Sequence, residues 1–305
     1  MQYDTIGFVG VGIMGRPMAE NVMDAGYEVV AHNRSPEPVE ALVERGARRA
    51  DSPAEVTRAA DVVVTVLPDT EAVESVVRGT GDAEGDGILA ALSEGQVYVD
   101  MSTISPAATE DLAADVRARG AEMLDAPISG GEEGAVEGTL SIMVGGDRGT
   151  FEALSELFDA MGETVTRCGD SGAGQVTKAA NQIIVGAQHQ AVAEALLLAK
   201  RGGADLERVL EAISGGAAAC WALDARAPRV VRGNFEPGFF ASYHYKDLRI
   251  ATAAGEEYGV PMPATSVVHE MYKAMETRGY GREDHSAVIR IVEELAGAEA
   301  RIDAE

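Results

Sequence analysis

Lysine, cysteine, aromatic residues and long apolar runs are all scarce in this 305-residue chain. Its two cysteines, Cys168 and Cys220, offer neither a disulfide framework nor the spacing of a metal site, and the five histidines show no ligand spacing. No apolar run reaches the roughly 20 residues that span a bilayer, and no basic segment followed by an apolar run opens the chain. We therefore expect a cytoplasmic protein that holds no metal and contacts no membrane.

Positive charge is scarce as well. Twenty-five basic residues stand against 50 acidic ones, so the formal net charge is −25. Nucleic acids and anionic membranes are bound through basic surfaces, which argues against both as partners. Because the acidic residues are scattered among periodic apolar ones, we interpret them as a folded surface adapted to high salt, where screening limits self-repulsion.

Only four of the 25 basic residues are lysines: Lys178, Lys200, Lys246 and Lys273. Arginine keeps its charge in proteins, whereas lysine gives up a proton when its surroundings lower its pKa. Where arginine has replaced lysine almost everywhere, a remaining lysine is a candidate for proton transfer. Some of the four lysines are retained by chance, and composition alone does not show which of them are functional.

Strand-like and helix-like segments alternate in the first half of the chain. This alternation predicts an α/β fold with a parallel sheet wound on both faces. A high glycine count of 35 and an aromatic content of 5% favour the same class over an all-β one. The predicted strands are Ile6–Val9, Tyr27–Ala31, Asp61–Leu67, Gln96–Met101 and Glu122–Asp125, and the predicted helices are Pro17–Ala25, Pro38–Arg45 and Pro106–Arg119.

From about Gly172 onward the pattern becomes helical. Gln175–Arg201 is a long helix-forming stretch that lacks proline and contains one glycine, Gly186. We predict an all-α domain over residues 171–305 that begins with this long helix. An acidic, glycine-rich surface loop is predicted between Gly79 and Gly87. Further helices are predicted at Asp205–Ser214, Leu248–Tyr258, Ala264–Arg278 and Ser286–Leu295.

The first predicted strand ends in the glycine-rich segment Gly10-Val11-Gly12-Ile13-Met14-Gly15, and a predicted helix follows. In this position Gly10 permits a tight turn, Gly12 lets the backbone approach a pyrophosphate, and Gly15 lets helix and strand pack closely. The helix N-terminus stabilises the phosphate charge. We therefore predict a Rossmann-type dinucleotide-binding domain over residues 1–170. A glycine turn in an unrelated α/β fold is the alternative.

The end of the second predicted strand indicates which dinucleotide is bound. NAD-binding domains carry an acidic residue there for the ribose hydroxyls, whereas this chain reads His32-Asn33-Arg34-Ser35. Arg34 and Ser35 suit a 2′-phosphate, since a guanidinium forms charge-assisted hydrogen bonds with phosphate. We expect NADP(H), contacted by Asn33, Arg34 and Ser35. NAD(H) is the alternative if Arg34 is only a solvated turn residue.

The ends of two later strands are expected to line the cofactor groove, because ligands of such sheets bind outside the carboxyl ends of the strands. These ends place Leu67, Pro68 and Thr103 among the cofactor-binding candidates. The alternative is that these residues only end their strands and begin the loops that follow.

A loop further along suits a small carboxylate-bearing substrate. Ser129, Gly130 and Gly131 present a hydroxyl and unobstructed backbone N–H groups, which bind anions.

Three polar residues share one face of the long predicted helix. Lys178, Asn181 and Gln182 are spaced i, i+3 and i+4. A lysine beside two amides on a mostly apolar helix is typical of a functional site. An exposed polar stripe is the alternative interpretation.

Several segments in order along the chain together resemble the β-hydroxyacid dehydrogenases. The similarity extends from Ile6 to about Ile291 and is therefore far more specific than any single motif. The segments are GFVGVGIMGRPMAENV, DMSTISP, DAPISGG, GAGQVTKAANQ and YKDL, with LDARAP, NFEPGF and DHSA in support.

The resemblance implies an enzyme that transfers a hydride between NAD(P) and a small β-hydroxyacid or its semialdehyde. It implies that Lys178 is the catalytic acid and base, and that Asn181 and Gln182 orient it or hold the substrate oxygen. It also implies that Ser129–Gly131 bind the substrate carboxylate and that Lys246 closes over the nicotinamide. Homodimers or homotetramers assembled through the helical domain are implied as well.

The segments LDARAP, NFEPGF and DHSA, together with Gln182 four residues after Lys178, resemble the tartronate semialdehyde branch of the family. This resemblance implies that the substrate is tartronate semialdehyde, which is reduced to glycerate. The pair Cys220-Trp221 departs from the branch and resembles a pair near the substrate of 3-hydroxyisobutyrate dehydrogenases. Trp221 as a substrate contact favours an apolar branched substrate, which leaves 3-hydroxyisobutyrate and 4-hydroxybutyrate as alternatives. A non-catalytic dinucleotide-binding module and an imine reductase are rivals of other kinds, and Lys178 argues against both.

Overall fold

The computed structural model describes residues 3–79 and 85–302 of the chain. Residues 80–84, the middle of the predicted acidic loop, lie outside the described residues. The chain divides into two compact units, Met1–Lys178 and Ala179–Glu305. The boundary that we predict after residue 170 precedes the long helix, whereas this division falls inside that helix. No helix within the described ranges is long and apolar enough to cross a membrane.

A nine-stranded sheet forms the centre of the first unit, counted over its described residues. The five strands predicted from the sequence are all present, with ends that differ by at most two residues. The strands are β1 (Thr5–Val9), β2 (Glu28–His32), β3 (Arg48–Arg49), β4 (Val62–Thr65), β5 (Val97–Asp100), β6 (Glu122–Asp125), β7 (Ile128–Ser129), β8 (Leu140–Gly145) and β9 (Gly162–Gly169).

Six of these strands are parallel and follow the order β3-β2-β1-β4-β5-β6. This is the strand order of the Rossmann fold, so the predicted fold class is confirmed. Beyond β6 the sheet becomes mixed, because β8 runs antiparallel to β6 and β7 and parallel to β9. This mixed part was not predicted. Ser129, which was expected in a loop, lies in the two-residue strand β7, whereas Gly130 and Gly131 lead from that strand into α7.

Helices cover both faces of this sheet. Each face has its own buried apolar cluster, one including Phe8, Met18 and Phe158 and the other Tyr98 and Leu112. The helices are α1 (Gly15–Asp24), α2 (Glu37–Glu44), α3 (Pro53–Ala59), α4 (Thr70–Arg78), α5 (Ile88–Ala91), α6 (Pro106–Arg117), α7 (Gly131–Glu137), α8 (Arg148–Ala153) and α9 (Ser155–Asp159), followed by the long α10 (Ala173–Arg201).

The regular secondary structure in the described part of the second unit consists of helices and an isolated bridge between Phe240 and Asp284. Its core includes Leu196, Leu248 and Tyr272, which are fully buried. After α10 come α11 (Leu206–Ser214), a π-helical turn (Ala222–Arg226), α12 (Ala227–Val230), α13 (Ala241–Glu257), α14 (Pro263–Thr277), a 3₁₀ turn (His285–Val288) and α15 (Ile289–Ala296).

Helix α13 differs most from its prediction. It begins at Ala241 rather than at Leu248, so its first two turns were missed. These turns carry buried or half-buried polar side chains at His244, Lys246 and Asp247, which interrupt the apolar periodicity.

Candidate active site

The glycine-rich segment turns sharply between β1 and α1. Gly10 has φ +94°, and a Cβ built on it would lie 2.4 Å from the carbonyl oxygen of Val66. A Cβ on Gly15 would lie 2.0 Å from the carbonyl oxygen of Gly10, so no side chain fits at either position. Around Gly12, in contrast, no atom of the described part of the chain lies within 4 Å of such a Cβ. The segment therefore leaves an open cradle above its backbone at Gly12, with the N-terminus of α1 behind it, which suits a pyrophosphate.

Polar contacts join this segment to the end of β2. The side-chain Oδ1 of Asn33 accepts from the N–H of Val11 at 3.2 Å, and its Nδ2 donates to the carbonyl of Ser35 at 3.0 Å. Asn33 thus holds the two loops together, while Arg34 and Ser35 are exposed. Ile13 is 52% exposed. Met14 lies half-buried at the start of α1.

The loops after β4 and β5 are also tied together. Oγ of Ser102 accepts from the N–H of Leu67 at 2.9 Å, and Thr103 follows half-buried beside it. Pro68 lies exposed after Leu67. Because β4 and β5 are parallel to β1, the loops after these two strands and the glycine-rich segment after β1 lie at the same edge of the sheet. The residues present at this edge therefore fit a dinucleotide.

Asp125, at the end of β6, anchors the start of α10. Its carboxylate accepts from the N–H of Gly172 at 2.8 Å and from that of Gln175 at 3.0 Å. A Cβ on Gly145 or Gly174 would lie 2.4 Å or 2.7 Å from this carboxylate, so both glycines make room for it. Burial raises the pKa of Asp125, and the bonds from backbone N–H groups oppose that rise. This anchor was not predicted from the sequence.

Gln175 makes a second link between α10 and the sheet. Its Nε2 donates to the carbonyl of Ser102 at 2.8 Å, and its Oε1 accepts from the N–H of Ile104 at 3.1 Å. The helix that carries Lys178 is thus held at its first turn by the ends of β5 and β6. Lys178 follows Gln175 by three residues and is only 4% exposed. Lys178 is therefore buried and held at a defined position near the edge of the sheet that fits a dinucleotide.

The other members of the predicted helical face continue along α10. Gln182 is 4% exposed and Asn181 is half-buried, so the alternative of an exposed polar stripe is wrong. Nδ2 of Asn181 donates to Oε1 of Gln182 at 2.8 Å, and Nε2 of Gln182 donates to Asp247 at 2.6 Å. The second carboxylate oxygen of Asp247 lies 3.2 Å from Nζ of Lys246. Asp247, which the sequence analysis did not single out, therefore joins two predicted site residues, Gln182 and Lys246.

Asp100 is a second buried carboxylate, at the end of β5 beside Asp125. One of its oxygens accepts from Oγ1 of Thr65 at 2.7 Å and from the N–H of Ser102 at 3.1 Å. The other oxygen has no hydrogen-bond partner among the residues that the structure describes. Burial raises the pKa of Asp100 to about 6, against the opposing effect of the Ser102 and Thr65 hydrogen bonds. Asp100 supports the serine that in turn orders the loop at Leu67.

The predicted carboxylate-binding segment turns from β7 into α7. Gly130 has φ +141° and Gly131 has φ +66°, conformations that side-chain-bearing residues rarely adopt. A Cβ on Gly130 would also lie 3.0 Å from Cδ2 of Leu140. Ser129 is half-buried, whereas Gly130 is exposed. Glycine is therefore required here, and the backbone remains accessible to a ligand.

Trp221 lies in the second unit just before the π-helical turn. Its side chain is 49% exposed, and the guanidinium of Arg226 lies 4.6 Å from its ring centre. The rings of His189 and His285 meet its ring edge-on at 6.1 and 6.0 Å between centres. No group of three His, Cys, Asp or Glu side chains in residues 3–79 and 85–302 could hold a metal ion.

Two family models match consecutive parts of the chain. Residues 5–169 match the NAD binding domain of 6-phosphogluconate dehydrogenase. Residues 172–292 match the model described as NAD-binding of NADP-dependent 3-hydroxyisobutyrate dehydrogenase.

Individual relatives agree with these models. The chain is 41% identical over 291 residues to 2-hydroxy-3-oxopropionate reductase of Escherichia coli, which covers 95% of this chain and 98% of the relative. It is 34% identical over 296 residues to mitochondrial 3-hydroxyisobutyrate dehydrogenase of Mus musculus, covering 95% and 87%. The structure of Mycobacterium tuberculosis 3-hydroxyisobutyrate dehydrogenase with L-serine matches with a TM-score of 0.86 at 32% identity, covering 95% and 99%. The chain therefore belongs to the 3-hydroxyisobutyrate dehydrogenase family of NAD(P)-dependent hydroxyacid dehydrogenases.

Proposed function

We propose that this enzyme reduces tartronate semialdehyde to glycerate, with Lys178 as the general acid. The observation that carries the proposal is the buried Lys178 on a helix that Asp125 and Gln175 anchor to the dinucleotide edge of the sheet. The substrate is supported by the 41% identity to the Escherichia coli reductase over almost the whole chain. A bound nicotinamide dinucleotide supplies the hydride.

Lys178 performs the proton transfer in this proposal. Reduction of an aldehyde adds a hydride to the carbonyl carbon and leaves negative charge on the oxygen. The Nζ of Lys178 donates a proton to that oxygen, and in the oxidative direction it takes the proton back. Because the lysine is buried, water competes poorly for the transfer.

Ser129 and the two glycines after it hold the substrate carboxylate. The Ser129 hydroxyl and the accessible backbone N–H groups of Gly130 and Gly131 supply donors without adding a side chain that would fill the space. Asn181 lies on the Lys178 side of Gln182 and is half-buried, so its remaining amide groups are available to the substrate oxygen. These groups orient a small acid rather than a large one.

NADP(H) is the proposed cofactor, with NAD(H) as the weaker one. Arg34 is exposed at the end of β2, and no carboxylate stands in the His32–Ser35 segment to bind a free ribose hydroxyl. A guanidinium and the Ser35 hydroxyl are suitable donors for a 2′-phosphate. We further propose that Lys246 reaches the nicotinamide side when the cofactor binds.

Specific observations bear on the choice of substrate. Trp221 offers a large, half-exposed apolar surface, which favours the branched 3-hydroxyisobutyrate. Among relatives, the Mycobacterium tuberculosis enzyme was solved with L-serine, a β-hydroxyacid of three carbons, which favours a small hydroxylated substrate. 4-Hydroxybutyrate is the third candidate.

Steady-state kinetics test the proposal. Tartronate, methylmalonate and succinic semialdehydes are each paired with NADPH and with NADH at high and low salt. Turnover of tartronate semialdehyde should be highest, and Lys178→Met should lower kcat by about 10²–10⁴-fold. Lys273→Met is the matched control, since Lys273 lies exposed beside Glu270, and it should leave kcat unchanged. Equal activity of the Lys178→Met variant and wild type would overturn the role of Lys178.

We also propose a homodimer or homotetramer that works at high salt. The net charge of −25 is better tolerated when salt screens self-repulsion. Light scattering gives the mass of the assembly, and the salt dependence of the unfolding temperature tests the second point.

A further inference from the structure

Three histidines from separate elements of the second unit form one hydrogen-bonded row. His189 lies on α10, His244 on α13 and His285 in the 3₁₀ turn. Their side chains are buried, at 3%, 0% and 4% exposure. Nε2 of His189 lies 3.0 Å from Nε2 of His285, and Nδ1 of His285 lies 2.9 Å from Nδ1 of His244. We call these three residues the histidine row.

The row ends on the backbone of α10. Nε2 of His244 lies 3.1 Å from the carbonyl oxygen of Gln182. A carbonyl only accepts, so His244 donates from Nε2, and a neutral His244 then accepts at Nδ1. His285 must therefore donate from Nδ1 and accept at Nε2, which requires His189 to donate from Nε2. The carbonyl oxygen of Gln182 therefore determines which ring nitrogen carries the proton in each of the three neutral histidines.

Helix α13 holds Gln182 at two points. His244 donates to the Gln182 backbone carbonyl, and Asp247, three residues later, accepts from the side-chain Nε2 of Gln182. A carboxylate can only accept, so this contact also sets the amide orientation of Gln182. Oε1 of Gln182 then faces the donor on Asn181. Because His285 holds His244, the row determines where α13 meets Gln182.

Gly186 gives His244 access to the α10 backbone. A Cβ built on Gly186 would lie 3.1 Å from Nε2 of His244 and 3.2 Å from Cγ1 of Val268. Glycine inside a helix is unfavourable by itself, so a packing reason is expected for it. The close approach of His244 to the helix is that reason.

We propose that His189, His244 and His285 are positioning residues for the hydroxyacid reaction and act through Gln182 without touching the substrate. This proposal rests on the proposed function, in which Gln182 shares the catalytic face of α10 with Lys178. Neutral rings with one donor and one acceptor each have a single arrangement that satisfies the Gln182 carbonyl. The row therefore holds Gln182 in one orientation through a defined series of hydrogen bonds.

Nitrogen NMR of the histidine-labelled enzyme tests the row without any activity measurement. At neutral pH, His285 should carry its proton on Nδ1, and His189 and His244 on Nε2. Single substitutions His189→Gln, His244→Gln and His285→Asn assign the resonances. An Nε2–H form of His285, or a charged ring in the row at neutral pH, would overturn the proposal whether or not the substrate assignment holds.

A matched pair of variants tests the effect on catalysis. His285→Asn keeps a donor close to the position of Nδ1, whereas His285→Gln places its amide nearer the position of Nε2 and removes the donor to His244. With tartronate semialdehyde and NADPH, we expect His285→Gln to lower kcat about tenfold, because it leaves a buried acceptor unsatisfied. KM should stay unchanged, and His285→Asn should recover most of the lost kcat.

A double-mutant cycle separates positioning from general destabilisation. If the row acts through Gln182, His285→Gln should cause no further loss of kcat in a Gln182→Leu background. Equal losses in both backgrounds, or equal losses for His285→Asn and His285→Gln, would show that the row is only structural. Thermal unfolding of each variant establishes that the folded enzyme is compared.

Discussion

The two units satisfy their buried polar groups in different ways. In the first unit, the carboxylates of Asp100 and Asp125 lie at the ends of neighbouring strands and accept mainly from backbone N–H and hydroxyl groups. In the second unit, the histidine row and Asp247 are bonded largely to other side chains. Backbone donors are present wherever a strand ends and a helix begins, whereas side-chain partners meet only after several helices have packed. The two networks should therefore respond differently to substitution and to pH.

Removal of the Asp125 anchor is expected to have the largest effect on stability. Asp125→Ala should lower the free energy of unfolding by about 3 kcal/mol, because two buried N–H groups lose their acceptor. Asp205 is the matched control, since it also accepts from two backbone N–H groups at a helix start but is exposed. Asp205→Ala should cost about 1 kcal/mol. Urea unfolding measures both, and equal losses would contradict the importance of burial.

A fall in pH should change the contributions of the two networks to the free energy of unfolding in opposite directions. The pKa of Asp100 is raised to about 6, so between that value and its ordinary 3.8 the folded state binds more protons than the unfolded one. Asp100 therefore contributes stability as the pH falls through this window, by at most about 3 kcal/mol. Asp100→Asn should remove this contribution.

His189 provides the opposite case. Burial, with smaller effects of His244 and Arg226, lowers the pKa of His189 well below its ordinary 6.5. The unfolded state then binds the additional proton first, so stability falls as the pH falls below about 6.5. Urea unfolding of wild type, Asp100→Asn and His189→Gln at several pH values measures both slopes. The same slope for wild type and His189→Gln would contradict the buried, neutral state of this ring.

Substitution of Arg34 should change cofactor choice without disturbing either buried network. Arg34→Asp removes the donor for a 2′-phosphate and adds a carboxylate that suits ribose hydroxyls. The ratio of kcat/KM for NADPH to that for NADH should fall about 10–100-fold, as expected for loss of a charge-assisted hydrogen bond. Arg49→Asp, on an exposed strand position, is the control. An unchanged ratio would show that Arg34 does not bind the 2′-phosphate.

Gly186→Ala should have the smallest effect on stability. Helix propensity favours alanine by about 1 kcal/mol, while the added Cβ presses on His244 and Val268. The two effects nearly cancel in the unfolding free energy, but the displacement of His244 should lower kcat. Gly174→Ala is not comparable, because a Cβ there meets the backbone oxygen of Met143 at 2.4 Å. A kcat equal to that of the wild type in the Gly186→Ala variant would show that the histidine row does not affect catalysis.

Local features of the site could be predicted from the sequence. The glycine pattern at Gly10–Gly15 carries its own structural context, a strand before it and a helix after it. The spacing of Lys178, Asn181 and Gln182 places them on one face of any helix. The anchor at Asp125 was missed, because nothing in the segment DAPISGG shows that its aspartate caps a helix 47 residues later.

Sequence by itself determined the Rossmann half of this protein, its glycine-rich segment and the polar face of its long helix. Each follows from the backbone periodicities of strands and helices, which act over a few residues. Only the tertiary structure brought together His189, His244 and His285, which are separated by 96 and 41 residues along their two contacts. Side chains that far apart meet only through packing, so spacing in the chain carries no sign of the row.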